Sequence, residues 1–156
     1  MPADAFAEPC DDHGSCWEYT LHIPHDARAV GIARSTLHAV LVRHGLAQLL
    51  DTAVLLATEL LTNAYLHSDG PASLRLRWRS GVLRIGVWDT DPTPPDAESQ
   101  SAGPETESGR GLLLVRVCAD EWGWFLLGDE IFGARGKFVW CELGTEPDAE
   151  RWDVAA

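Results

Sequence analysis

Glu59, Asn63 and His67 place a carboxylate, a carboxamide and an imidazole four residues apart in the stretch "ELLTNAYLHS". On a helix, that spacing returns each side chain to nearly the same side, drifting about 40° per step. Leu49, Leu50, Ala53, Val54, Leu56, Ala57, Leu60, Leu61 and Ala64 form a broad apolar stripe along the same run, and the three polar groups follow its margin. Taken alone, the file reads more simply as a solvated border with Asn63 near the helix end.

Two further segments add parts. "GVWDTD" sets Asp89 at the exit of an apolar strand, where a carboxylate can accept a hydrogen bond from an exocyclic amine in an otherwise apolar pocket. An ordinary turn aspartate is the plainer reading of that residue by itself. "SGRGLLLV" flanks Arg110 with Gly109 and Gly111 at a helix start, where free N–H groups and a partial positive charge receive phosphates. Arg110 can add a charge-assisted contact. A hinge before a helix is the alternative there. Together the parts suit a nucleotide. Mg²⁺ takes hard oxygen ligands, often few from protein, so the Asn63 oxygen suffices. Glu59, one turn earlier, can orient a hydroxyl or water toward a γ-phosphate.

The elements that must hold these groups follow from periodicity. "WEYTLHI" (17–23) alternates as a strand; Pro24 and Asp26 open a helix that ends at Gly45. The second helix is expected from about Gln48 to Leu66, stopped by Asp69-Gly70-Pro71. "ASLRLRWR" and "VLRIGVWD" form a hairpin through Ser80-Gly81. A structureless stretch follows, with lid length at about 92–108. "RGLLLVRVCAD" is a short helix, and "EWGWFLLG" and "GKFVWCEL" close the domain as strands joined by "DEIFGAR". The expectation is an α+β, two-layer sandwich: a mixed, mostly antiparallel sheet with helices on one face. Its domain runs over 16–144, after a disordered lead-in at 1–15 and before a loose tail at 145–156.

Composition narrows the chemistry. A net charge of -12 disfavours direct binding to nucleic acid or to anionic membrane, and no apolar run reads as a membrane span. Eleven arginines stand against a single lysine, Lys137, whose surroundings "GARGKF" lack the first glycine and the Ser or Thr of a Walker loop. Cys10, Cys16, Cys118 and Cys141 form no C-x-x-C pair and follow no secretory signal, so free thiols and a cytoplasmic setting are expected. Cys10, His13, Cys16 and His22 fit no common zinc spacing.

With these residues in view, the sequence resembles the GHKL (Bergerat-fold) ATP-binding superfamily, in its anti-sigma-factor serine/threonine kinase branch. "ELLTNAYLHS" is similar to the N-box, "VWDTDPTPP" to the G1 box, and "GRGLLLVRVCADEWGW" to the G2 box. "GKFVWCEL" resembles the last strand of that group, and "PHDARAVGIAR" its first helix. The likeness spans about residues 17 to 143. It implies that Asn63 ligates Mg²⁺, that Glu59 is the catalytic base and that Asp89 binds the adenine amino group. Gly109, Arg110 and Gly111 would hold the phosphates, with Leu112 beside them in the nucleotide site, and His67 would line it. The implied partners are ATP and a sigma factor or antagonist-like protein, with a homodimer as a further expectation. Two departures stand out. Asp89-Thr90-Asp91-Pro92-Thr93 stands where many members read D-x-G-x-G, and Phe138 stands where a small hydroxyl residue is expected. Two other readings stay open: a binding module that holds ATP and a partner without turnover, and a histidine-kinase-type catalytic domain with His38 or His44 as acceptor.

Overall fold

The computed structural model describes residues 16–95, 114–129 and 134–144. The lead-in, the tail, the lid beyond residue 95 and the group Gly109, Arg110, Gly111 and Leu112 lie outside the described residues. In chain order the elements are β1 (Trp17–Ile23), α1 (Ala27–Arg43), a 3₁₀ turn (Ala47–Leu49), α2 (Leu50–His67), β2 (Ala72–Arg79), β3 (Val82–Asp89), β4 (Glu121–Asp129) and β5 (Ala134–Gly144). Residues 114–118 are also helical. The strands lie in the order β1-β2-β3-β5-β4, and each described pairing is antiparallel, so the α+β sandwich holds with no parallel pair among the described residues.

Local chemistry sets the boundaries. The Asp26 side chain accepts from the Arg28 N–H at 2.9 Å and caps α1. At the other end Gly45 takes φ 73°, Leu46 N–H reaches Leu41 O at 2.8 Å, and Gly45 N–H reaches Val42 O at 3.2 Å. This is a Schellman motif, and the buried Leu46 closes it. Ser80 and Gly81 both take positive φ, as a two-residue turn matched to strand twist requires.

The core lies between α1, α2 and one face of the sheet. Leu74, Leu76, Leu83, Ile85, Val87, Val139, Cys141 and Leu143 alternate inward from β2, β3 and β5. Against them α2 buries Ala53, Leu56, Ala57, Leu60, Leu61 and Ala64. The segment Ala47–His67 is long and apolar enough to cross a membrane by length and composition, contrary to the sequence expectation. Here it is the helix that packs on α1, β2, β3 and β5. The thiol expectation also changes, because Cys16 is disulfide-bonded, while Cys118 and Cys141 are free. Burial, and then the Glu142 carboxylate, push the Cys141 thiol up to about 12, which removes it as a nucleophile.

On the far face of the sheet, aromatic rings lie over glycines. A Cβ at Gly86 would stand 2.0 Å from Phe138 Cζ, and one at Gly123 would stand 2.6 Å from the Trp140 ring. Gly86→Ala is therefore expected to displace Phe138 and cost about 1–3 kcal/mol, as overpacking does. A shift of the urea midpoint measures this.

Candidate functional site

Three elements meet at one end of the sandwich. At the end of α2, Ser68 is buried, and its hydroxyl bonds Thr90 Oγ1 at 2.8 Å and accepts from Gly70 N–H at 3.2 Å. A Cβ at Gly70 would lie 2.8 Å from Thr90 Oγ1, so glycine is what lets the chain press against the exit of β3. The C-terminus of α2 is thereby fixed beside Asp89. From that tie, His67, Asn63 and Glu59 stand about 1.5, 7.5 and 13.5 Å back along the helix axis. All three are half-buried, on the margin between the apolar stripe and solvent.

Asp89 follows the inward parity of Leu83, Ile85 and Val87, and is 2 % exposed. A carboxylate this deep needs partners. Its Oδ1 accepts from Asp91 N–H at 2.8 Å and from Lys137 Nζ at 3.3 Å. Lys137 faces it across the β3–β5 ladder and is itself 4 % exposed. The same ammonium reaches Asp91 O at 3.2 Å and Asp91 Oδ2 at 3.4 Å. Burial pushes the Asp89 carboxyl above the usual range, and Lys137 and the Asp91 N–H only partly offset this. Burial acts on Asp91 in the same sense, but the Thr93 N–H and hydroxyl, then Lys137, outweigh it and hold Asp91 below the usual range.

Gly136 completes the contact. A Cβ there would sit 2.1 Å from Asp89 O, so β5 can approach the exit of β3 only with glycine at this position. The arrangement offers a buried carboxylate acceptor in an apolar wall, next to a helix margin carrying an oxygen donor and a second carboxylate. Such a set suits a ligand with an exocyclic amine at one end and a metal-bound anion at the other. Among the described residues no group of three or more His, Cys, Asp or Glu side chains is placed to hold a metal ion.

Glu59, Asn63, His67 and Asp89 are legible as site residues in the sequence, whereas Ser68, Thr90, Gly136 and Lys137 join the site only through the fold. A signal for Lys137 existed. It shares the parity of Val139, Cys141 and Leu143, which puts a charge on the buried face of β5.

Residues 23–126 match the family model described as histidine kinase-like ATPase domain. An uncharacterized protein of Streptomyces coelicolor is 40% identical over 93 residues, which cover 58% of this chain and 83% of that protein. The matched span encloses Glu59, Asn63, His67 and Asp89, and ends before Lys137.

Proposed function

Because the chain belongs to the histidine kinase-like ATPase domain family, we propose that it is an ATP-binding regulator that transfers the γ-phosphate of ATP to a serine or threonine of a partner protein. The observation that carries this reading is the buried Asp89 carboxylate, fixed beside the end of the helix that bears Asn63 and Glu59. Asp89 fits the adenine edge: it is an acceptor enclosed by apolar strands, and both of its described donors fall on Oδ1. Asn63 fits a lone protein ligand for Mg²⁺, as a half-buried hard oxygen donor. When bound, the ion supplies charge neutralisation at the phosphates. Gly109, Arg110, Gly111 and Leu112 are the proposed phosphate-binding group. Glu59 takes the proton from the attacking hydroxyl, and His67 lines the cleft. The partner is of the sigma-factor or antagonist type, in the cytoplasm, with self-association as a homodimer. The matching family supports the ATP-binding part of this reading, and the kinase part rests on Glu59 alone.

Base selectivity provides the test. The amino group at purine position 6 donates to Asp89, whereas the carbonyl of GTP would face a carboxylate. An unpaired buried polar group costs about 1–3 kcal/mol, so Mg-ATP should bind about tenfold or more tightly than Mg-GTP. Equal affinities in a calorimetric titration would remove the adenine assignment.

A further inference from the structure

Lys137 is the only lysine in the chain, and it lies outside the residues that match the family model. A buried lysine against a buried carboxylate costs desolvation on both sides, so its placement calls for a specific account. An ammonium has three N–H donors. Here three acceptors surround it: Asp89 Oδ1 at 3.3 Å, Asp91 O at 3.2 Å and Asp91 Oδ2 at 3.4 Å. That count leaves no N–H for a ligand. We infer that Lys137 is a positioning residue of the base pocket: it occupies Asp89 Oδ1, ties Asp89 to Asp91, and so presents Oδ2 to the exocyclic amine of the purine. The inference rests on the nucleotide reading of the site given above.

The electrostatics give it a measurable signature. The charges acting on Asp89 include Lys137 from β5 and Asp91 from the loop; α2, packed over β3, carries Glu59 and His67 along its margin. Burial already pushes the Asp89 carboxyl upward, and Lys137 opposes this. Without the ammonium, Asp89 keeps its burial and the Asp91 charge, so its protonation moves further up. A protonated carboxyl presents an O–H, which suits a 6-oxo purine rather than a 6-amino one. Affinity for ATP then falls as pH falls, and base preference falls with it.

Calorimetry of wild type, Lys137→Met, Lys137→Gln and Lys137→Arg with Mg-ATP and Mg-GTP, at about pH 6 and about pH 8.5, tests this; if the Met variant does not fold, the Gln variant carries the comparison. Expected is a loss of ATP affinity of about tenfold or more at the lower pH, equal to at least one pKa step. The loss should recover at the higher pH, GTP affinity should not fall in parallel, and Arg should largely rescue. Carboxyl NMR of the nucleotide-free protein provides a second readout, in which the Asp89 titration shifts upward in the Met or Gln variant. If wild type binds ATP while both the pH profile and the Asp89 titration stay unchanged in the variants, the role of Lys137 is overturned. An equal loss for both nucleotides at both pH values also overturns it, because that is a general packing defect. If the Asp89 titration shifts but wild type binds no ATP, the nucleotide reading fails, and the recognition role falls with it.

Discussion

Glu59→Gln is expected to reduce phosphoryl transfer to a verified partner by about 10²–10⁴, the usual contribution of general-base assistance. ATP binding should stay close to normal. The substitution keeps size and hydrogen-bonding capacity while removing the base. Glu59 sits about two and a half helical turns back from the Ser68–Thr90 tie, half-buried, and one turn from Asn63. If Asn63 holds the metal at the phosphates, the carboxylate one turn away lies on the side from which a hydroxyl would approach. The readout is single-turnover transfer from labelled ATP. Transfer that survives undiminished would end the assignment of Glu59 as the base. No transfer in the wild type with an authenticated partner would favour the binding-module reading, in which Glu59→Gln also leaves partner binding unchanged.

The second large effect belongs to Asn63→Ala. Its carboxamide is the one protein oxygen offered to Mg²⁺ in this reading. Its loss should cost at least the ~10–100-fold in metal affinity that removal of an outer-shell partner costs. ATP affinity should drop, and its dependence on Mg²⁺ should largely vanish. Adenosine binding should hardly change, because Asp89 and its supports Asp91 and Lys137 are untouched. Calorimetry of ATP with and without Mg²⁺, beside adenosine, separates these outcomes. Full Mg²⁺-dependent affinity in the variant would return Asn63 to the status of an ordinary helix residue.

Much of the scaffold behind these predictions was legible in one dimension. β1, β2 and β3 begin and end where the alternation does, because each has an inward parity of apolar side chains and a local stop: Pro24, Ser80-Gly81 or the proline-rich run after Asp89. Helix ends were legible where a side chain caps them, as at Asp26, or where a glycine turns left-handed, as at Gly45. The 3₁₀ turn at Ala47–Leu49 was not, since its apolar residues continue the helical stripe without interruption. β4 and β5 run past their expected ends because the pairing of Asp129 with Ala134 is a ladder property that no local pattern announces.

The same division holds at the site. Glu59, Asn63 and His67 share one helix, so spacing alone aligned them. The Asp89–Lys137 pair joins residues 48 apart, and the Ser68–Thr90 bond joins residues 22 apart. Both depend on strand register and on glycines that permit close approach, Gly136 and Gly70. Sequence periodicity fixes which face a residue takes, but not which residue of a distant element stands opposite it.

One lysine, enclosed, also determines how the chain answers reagents that acylate amines. No lysine side chain is offered by the described surface, whose cationic groups are guanidinium ions. With its side chain 5% exposed, Lys137 meets such a reagent only when the structure opens around its pocket with Asp89 and Asp91. Its acylation is therefore a clock for the opening of that pocket, at a rate set by local unfolding rather than by the reactivity of the amine.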